Sequence, residues 1–384
     1  MLRGPFSFSN EATQAAGDTT VLALYRTGNA RRIGLLAGLL FLLLAAIVWA
    51  ACTGTVGLSP RDTLIVCLQS LKDSALAVIV PLTVPAPSNP QAGLIVVGFR
   101  LPRILLAVLT GISLAVAGTV MQGVLRNPLV SPFTLGLSSA ASFGAAVAIV
   151  LGPAVLGPLA AGIGDDGFII LLAFLSGWLS MLLVYSISRS RGTSQSMLIL
   201  AGVVIGYIFQ AGVLAMKYLS TNDRLRDLVV WLMGGMWGAS WSSVLILAPV
   251  TLVCVIILEM KAWDLNALAS GDEVAKSLGI NVGRLRLYSL MVATFAASCC
   301  LAFTGIIGFI GLMAPHICRM LIGNDHRYLI PCSALLGASI LLVSDTVART
   351  ILSPVEIPVG IIMYIIGGIF FLFLILRGRG RGLY

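Results

Sequence analysis

Long apolar runs with almost no charged residues recur along the chain from residue 33 onward. Each run is close to the roughly 20 residues that a helix needs to cross about 30 Å of hydrocarbon. The short alternating segments typical of outer-membrane barrels do not occur. The pattern therefore predicts an all-α polytopic membrane protein with about ten transmembrane helices. The predicted spans are 33–51, 101–121, 134–151, 168–187, 197–216, 244–260, 287–303, 306–321, 329–347 and 357–376.

Composition supports a membrane protein and helps to orient it. Only 10% of residues are charged and the mean hydropathy is +1.03, whereas soluble domains carry about 25% charged residues. The net charge of +9 does not indicate nucleic-acid binding, because the basic residues cluster at span ends. With the N-terminus inside, 16 of the 24 Lys and Arg residues fall on cytoplasmic segments. The positive-inside rule thus predicts that both termini lie in the cytoplasm.

The spans divide the chain into a cytoplasmic N-terminal tail (1–32), a ten-helix transmembrane domain (33–376) and a basic cytoplasmic tail (377–384). Spans two to five and seven to ten form two sets of four, separated by the sixth span. The first set begins outside the membrane and the second begins inside. If the two sets are structural repeats, they are inverted repeats, a plan common among transporters.

The polar stretch 261–286 lies between two apolar runs and holds seven charged residues. Between Gly271 and Gly279, apolar and charged positions alternate at roughly helical spacing. One interpretation is an interfacial helix that lies on lipid. The adjacent Asp272 and Glu273 argue against it, because anionic headgroups repel carboxylates. A short helix docked against another protein fits better.

Three arginines are predicted at the outer side. Arg100 and Arg103 flank Pro102, which fits the first turn of a span because its nitrogen has no hydrogen to donate. They are either snorkelling anchors or a surface for an acidic protein or an anionic ligand. Asp345 and Arg349 are four residues apart, on one helical face. They either neutralise each other, or Arg349 joins the other two arginines in an outward basic ring.

Small residues in two apolar runs predict close helix packing. Gly111 and Gly118 share one helical face and would let a neighbouring helix approach closely, while Gln122 is expected to make an interhelical hydrogen bond. The glycines and proline of 305–315 predict a thinned, kinkable helix at a packing seam. His316 and Cys318 do not form a metal site by themselves, and the seven cysteines have no zinc-like spacing.

Two missing features bear on the source of energy. The sequence has no Gly-Lys dipeptide and hence no phosphate-binding loop for ATP. Carboxylates within the apolar runs are scarce, although a proton- or sodium-coupled carrier normally needs them near mid-membrane. A secondary carrier is therefore the weaker interpretation. A structural or receptor protein would leave the patterned helix in 261–286 unexplained.

Five motifs carry a resemblance to a known family, in order from about residue 95 to 376. They are RLPRILLAVLTGISLAVAGTVMQGVLRNPLVSPFTLG, WLMGGMWGASW, ALASGDEVAKSLGINV, GFIGLMAPHICRMLIGNDHRYLIPCSALLGASILLVSDTVAR and EIPVGIIMYIIGGIFFLFLI. Together they resemble the FecCD permeases, the membrane subunits of type II ABC importers. The resemblance implies a BtuC-like bundle in the cytoplasmic (inner) membrane of a prokaryote.

The resemblance also implies a function and partners. The expected cargo is an iron–siderophore-type chelate, with haem or cobalamin as alternatives. The expected partners are two cytoplasmic ATP-binding cassette subunits, a second permease copy or homologue, and a periplasmic or lipid-anchored substrate-binding protein. ATP and Mg would bind to the partner ATPase, and this chain is expected to bind no cofactor or metal and to have no catalytic residues.

The resemblance assigns three groups of site residues. Arg100, Arg103 and Arg349 would receive acidic residues of the binding protein. The translocation pathway would be lined by Gly202, Gly206, Phe209 and Gln210. Coupling to the ATPase would use Leu268, Ser270, Gly271, Asp272, Glu273, Lys276, Leu278 and Gly279.

Overall fold

The computed structural model describes residues 8–54, 57–72, 89–155, 164–190 and 194–377. These residues form α-helices, with a single π-helical stretch, Leu94–Arg100, leading directly into α3. The helices are α1 (Phe8–Cys52), α2 (Pro60–Lys72), α3 (Leu101–Leu125), α4 (Leu137–Val155), α5 (Asp165–Ser190), α6 (Gln195–Leu219), α7 (Asn222–Met233), α8 (Trp241–Glu259), α9 (Ala262–Ala269), α10 (Asp272–Ser277), α11 (Val282–Thr304), α12 (Ile310–Ile322), α13 (His326–Thr350) and α14 (Val359–Arg377).

Every predicted span coincides with a helix. Within the described residues, eight helical segments are long and apolar enough to cross a membrane. Two shorter apolar helices, Leu137–Gly152 and Ile310–Ile322, stand where the third and eighth spans are predicted. The prediction of an all-α polytopic bundle is therefore confirmed.

The backbone of α1 extends well beyond its apolar part. The candidate span covers Asn29–Cys52, but the helix begins at Phe8. No proline interrupts this stretch, so nothing in the backbone chemistry forces a break at the membrane boundary. Much of the predicted N-terminal tail thus continues the first span as one helix, and the last residues of the predicted C-terminal tail (378–384) lie outside the described residues.

The second span begins earlier than its sequence suggests. Pro102 does not open a helix, because the π-helical stretch Leu94–Arg100 already precedes it. A proline ring clashes with the carbonyl one turn before it. A wider π turn at that place relieves the clash, which explains why the helix continues through Pro102 as far as Leu125.

Helix α3 is the central element of the bundle. Of its membrane window, 83% is buried, compared with 22–33% for α1, α5, α6, α8 and α14. Gly111 lies against the backbone of Ala338 in α13, and Gly118 lies against the backbone of Gly311 in α12. The predicted close approach is confirmed, although the two glycines meet two different helices. Gln122 makes the expected interhelical bond, its Nε2 donating to the Gly311 carbonyl at 3.1 Å.

Helix pairing follows the pattern that an inverted repeat requires. Helix α3 packs on α13 as α11 packs on α5, and α3 packs on α12 as α11 packs on α4. Within the two sets, α4 contacts α5 and α6 as α12 contacts α13 and α14. Helices α3 and α11 meet each other, and α8 contacts both. The two sets of four predicted spans therefore make equivalent helix–helix contacts.

The glycine-rich stretch after α11 is not the thinned helix predicted from its spacing. Helix α11 ends at Thr304, and α12 begins only at Ile310. Gly305 has a φ of 68°, and a Cβ there would lie 2.2 Å from the Trp231 carbonyl oxygen. Phe309 also has a left-handed φ of 66°. The backbone turns sharply here to pass close to α7, so Gly305 and Gly308 belong to a break between helices, and Gly311 belongs to the packing seam with α3.

We predict that Gly118→Ala destabilises the protein markedly. The added Cβ would lie 1.8 Å from the Gly311 carbonyl oxygen, so backbone must move. Overpacking of this kind costs about 1–3 kcal/mol or more. The control is Gly38→Ala in α1, where no atom lies within 4 Å of the new Cβ and helix propensity favours alanine by up to about 1 kcal/mol. Equal melting temperatures of the two variants in detergent would show that the contact between Gly118 and Gly311 does not limit stability.

Candidate functional site

Polar side chains gather at two opposite ends of the bundle. One end, the coupling end, is defined by Arg32, Arg126, Asn266, Asp272 and Asp325, which contact one another in pairs through the contacts described below. The other end, the arginine end, is defined by Arg100, Arg103 and Arg349. Helix α1 runs between them, since Arg32 bonds to Asp325 while the carbonyls of Ala50 and Ala51 bond to arginines. Three segments that join predicted spans, 122–133, 261–286 and 319–328, all contribute residues to the coupling end, and they fall on the cytoplasmic side when both termini lie inside.

At the coupling end, α9 and α10 form a short helical arm between α8 and α11. Gly271, with a φ of 127°, turns the chain between the two helices, in a conformation that residues with a Cβ rarely adopt. The inner side of the arm is apolar. Its Leu268 and Ala275 form a small core with Val282 and Leu285 of α11, and Ile280 packs alongside. The arm is thus seated on the bundle by a small apolar core, with its apolar side turned toward protein rather than lipid.

The outer face of α10 is exposed. The side chains of Glu273 and Lys276 are 87% and 58% accessible and pair at 2.8 Å. The hydrogen bond and the charge of Glu273 raise the pKa of Lys276. Two apolar side chains, Val274 and Leu278, are also exposed beside them. Exposed apolar side chains bordered by charged ones are typical of a surface that binds another protein. Ser270 and Gly279 lie at the exposed edges of this face.

Asp272 does not share that outer face. Its carboxylate accepts from Arg126 at 2.9 Å and from Arg286 at 2.8 Å. The amide oxygen of Gln195, in the orientation that satisfies its neighbours, accepts from the same two arginines, each at 2.8 Å. The side chain of Arg286 is only 7% accessible. Of the acidic pair that the sequence singles out, Glu273 therefore faces outward and Asp272 inward.

A second polar cluster at the coupling end is centred on Asp325, which caps α13. Its carboxylate accepts from Arg32 at 3.2 Å, from Asn266 at 2.8 Å and from Arg327 at 2.6 Å. Burial alone would raise the pKa of Asp325, but hydrogen bonds from Arg327 and Asn266 outweigh it and lower the pKa to about 2. Arg327 also lies 4.1 Å over the ring of Trp263 in α9. Sequence reasoning missed this cluster, although an Asp directly before an apolar helix is a recognisable cap.

The three arginines at the other end are largely buried. Arg100 donates to the Ala51 carbonyl at 2.7 Å and Arg349 donates to the Ala50 carbonyl at 2.6 Å. These two bonds satisfy carbonyls in the last turn of α1, which have no partners within the helix. Arg100 and Arg349 are 5% and 4% exposed, so they are integral to the packing as well as facing the cavity described next.

Arg103 binds two carboxylates, Asp345 at 2.9 Å and Glu356 at 2.8 Å. One hypothesis above paired Asp345 with Arg349, four residues along the same helix. Instead, the described hydrogen bonds of Asp345 come from Arg103. All three arginines and Glu356 nevertheless line one cavity of about 440 Å³. The structure therefore brings the predicted basic ring together but places two acids within it.

Three of the four predicted pathway residues share a shallow pocket on α6. Gly202, Gly206 and Gln210 line a space of about 310 Å³ with Thr134, Ser139 and Tyr207. Phe209 lies elsewhere, with its ring 5.7 Å from that of Phe143 in α4. The pocket holds hydroxyl, amide and aromatic groups and no charged side chain. Across the described residues, no group of three or more His, Cys, Asp and Glu side chains is placed to hold a metal ion.

These features define a multi-pass helical membrane protein with a short helical arm seated between two of its spans. The chain belongs to the FecCD transport family, whose model matches residues 42–377. It is 41% identical over 280 residues to the hemin transport system permease of Yersinia pestis, covering 73% of this chain and 82% of that protein. It is 40% identical over 281 residues to the Fe(3+)-citrate import system permease of Bacillus subtilis, covering 72% and 80%.

A solved structure supports the same assignment. The chain is similar to an ABC transporter described as of the metal-chelate type in an inward-facing conformation, with a TM-score of 0.74 and 32% sequence identity. The match covers 90% of this chain and 99% of that one. Both the fold and the relatives therefore identify a permease subunit of an ABC transporter, as the sequence motifs predict.

We predict that Arg103→Gln is strongly destabilising, because it leaves the buried Asp345 carboxylate without its partner. Loss of one member of a buried ion pair costs about 3–5 kcal/mol. Glu356→Gln, in which the lost carboxylate is 30% accessible, should cost about 1 kcal/mol or less. The double variant Arg103→Gln/Asp345→Asn should regain stability over Arg103→Gln. Equal unfolding midpoints for Arg103→Gln and Glu356→Gln would contradict this account.

Proposed function

We propose that this chain is the transmembrane permease subunit of an ABC importer that moves an iron chelate of the siderophore type across the cytoplasmic membrane. The observation that carries the proposal is the arm formed by α9 and α10, seated on the bundle with Glu273, Val274, Lys276 and Leu278 turned outward. An ATPase subunit bound to this surface could move α8 and α11, the spans that the arm connects.

The proposed complex contains two copies of a cytoplasmic ATP-binding cassette subunit, which bind ATP and Mg and perform the hydrolysis. The chain itself performs no catalysis and binds no cofactor. A second permease copy or a homologue completes the pathway, which α6 faces with Gly202, Gly206 and Gln210. The exposed apolar side chains of α6, such as Tyr207 and Ile208, are available to that partner or to lipid. Both termini lie in the cytoplasm in this arrangement.

The proposed cargo follows from the character of the pocket on α6 and from the relatives. A surface with no charged side chain offers little to a bare ion, which would lose its hydration without compensation. A chelate covers the charge of its metal with organic ligand atoms. The hemin and Fe(3+)-citrate permeases that resemble this chain carry iron in such forms by their names. Haem or cobalamin is the alternative cargo.

The arginine end is proposed to receive the substrate-binding protein. Three arginines against Asp345 and Glu356 leave one net positive charge around the cavity. A carboxylate of the binding protein could then accept hydrogen bonds from guanidinium groups that the fold already holds in place. The packing of these arginines supports this role, because their side chains need little further ordering.

Uptake into proteoliposomes tests the main proposal. The permease, its ATPase subunits and the binding protein are reconstituted, and uptake of a ferric siderophore, hemin and cobalamin is measured with ATP inside the vesicles. We expect ATP-dependent uptake of the siderophore complex and no uptake without the ATPase. Uptake driven by a proton or sodium gradient without ATP would identify a secondary carrier and overturn the proposal.

A milder charge change tests docking without breaking the packing. Glu356→Gln raises the net charge at the cavity from +1 to +2, counting the three arginines against the remaining acid. We expect the binding protein to bind a few-fold more tightly at low salt, with a steeper loss of affinity as salt rises. An unchanged affinity and salt dependence would show that the arginines serve only the fold. Asp166→Asn, which lies outside this cavity, is the matched control.

A further inference from the structure

The inward-facing carboxylate of Asp272 joins four separate parts of the fold. Asp272 begins α10, Arg126 follows the last residue of α3, Arg286 lies in the first turns of α11, and Gln195 is the first residue of α6. Asp272 binds both arginines, and Gln195 accepts from both as well. We name these four residues the Asp272 cluster. It is the point at which the arm meets the central helix, the helix that follows the arm and the helix that bears the pathway pocket.

The backbone at Arg126 is shaped for this contact. Arg126 has a φ of 45° and a ψ of 38°, the left-handed conformation, which side chains other than glycine seldom adopt. It ends α3 and its N–H bonds back to the carbonyls of Gln122 and Gly123. Glycine usually occupies such a position. An arginine at this position adopts a strained backbone, but its guanidinium reaches Asp272. It passes close to Gly271, since a Cβ built on Gly271 would lie 3.9 Å from Arg126 Nη1.

The charges of the cluster make Asp272 its essential member. Two guanidinium groups bind one carboxylate, so each arginine is held near a like charge. The side chain of Arg286 is 7% accessible and that of Asp272 is 30% accessible, so water screens the group incompletely. Removing the carboxylate leaves the two positive groups adjacent, with the Gln195 amide beside both of them. Removing Arg126 instead leaves an ordinary ion pair between Asp272 and Arg286.

We propose that Asp272 is a positioning residue, which transmits movement of the α9–α10 arm to α3, α6 and α11 through Arg126, Arg286 and Gln195, rather than a residue that touches the ATPase subunit. The inference rests on the proposed function, since it assumes that an ATPase subunit moves the arm. In this proposal the ATPase subunit pushes on the outer face of α10, and the Asp272 cluster transmits the displacement to α3, α6 and α11. Helix α6 begins at Gln195 in this cluster and bears Gly202 and Gly206 two to three turns further on.

The experiment uses the complete reconstituted transporter with four permeases: wild type, Asp272→Asn, Arg126→Gln and Asp272→Asn/Arg126→Gln. Three quantities are measured for each: cargo imported per ATP hydrolysed, ATPase subunit that co-purifies with the permease, and the melting temperature. Asp264→Asn is the matched control, because Asp264 lies in the adjacent α9 and its one ion pair within the described residues is local, with Lys261 at 3.2 Å.

We expect Asp272→Asn to lower import per ATP by about ten-fold, the effect of losing roughly one charged hydrogen bond from the transmitting contact. The ATPase subunit should still co-purify, because the outer face of α10 is unchanged. The double variant should import more per ATP than Asp272→Asn, since removing Arg126 relieves the repulsion that remains. Asp264→Asn should resemble the wild type in all three quantities.

Two results would overturn the inference. If Asp272→Asn lowers the melting temperature but leaves import per ATP unchanged, the cluster serves stability alone. If Asp272→Asn loses the ATPase subunit and the double variant does no better, Asp272 is a partner contact. Failure of the proposed function has a different signature, because the wild type would then show no ATP-driven import. In that case, non-additive melting temperatures of the single and double variants would still establish the cluster as a structural contact.

Discussion

The close backbone approach of α3 to α12 and α13 is the constraint on which the rest of the bundle depends. Helices in a membrane gain no hydrophobic energy by leaving lipid for one another, so contact must come from tight packing and hydrogen bonds. Gly111 and Gly118 remove the side chains that would hold the backbones apart. Ser113 adds a bond to Thr251 of α8 at 2.9 Å. The result is a fixed central helix, and among the eight candidate spans of the described residues α14 and α1 are the least buried in the protein.

The charged residues lie at two ends of the bundle and are paired differently at each end. At the arginine end, buried guanidiniums bond to carbonyls of α1 and to two acids, so the fold itself holds a basic surface in place. At the coupling end, Asp272 and Asp325 each collect bonds from several helices. An acid with several donors ties elements together, whereas a ring of arginines with fewer acids keeps a residual charge. This difference underlies the two proposed roles, transmission of movement at one end and binding of a partner at the other.

The sequence alone predicted the fold well because the membrane restricts a chain to few solutions. Apolar runs of span length, the basic residues at their ends and the glycines of α3 each correspond to a physical requirement of the bilayer. The direction of individual polar side chains was harder. Asp272 and Glu273 are neighbours in the sequence and look equivalent, yet only the packing of Arg126 and Arg286 makes one of them face inward. Asp345 met Arg103, which is 242 residues away, rather than Arg349 one turn along its own helix.

Spacing rules also failed where the backbone itself departs from a regular helix. The three-residue repeat of glycines after α11 has the period of a helical face, but Gly305 and Phe309 adopt left-handed conformations and the helix ends. That outcome depends on the nearby carbonyl of Trp231, from a distant part of the chain. A local pattern cannot contain this information, so breaks between spans are the features that a sequence predicts least well.

Helix α1 is fixed at both ends in a way that sets its length. Arg32 is bonded to Asp325 at the coupling end, and the carbonyls of Ala50 and Ala51 are bonded at the arginine end. The 18 residues from Arg32 to Ala50 span about 27 Å at 1.5 Å per residue, nearly the thickness of the hydrocarbon layer. One added residue would shift and turn one end by about 100° relative to the other, and the two sets of bonds could no longer form together. The first span therefore acts as a ruler that keeps the two working ends of the bundle at a distance matched to the bilayer.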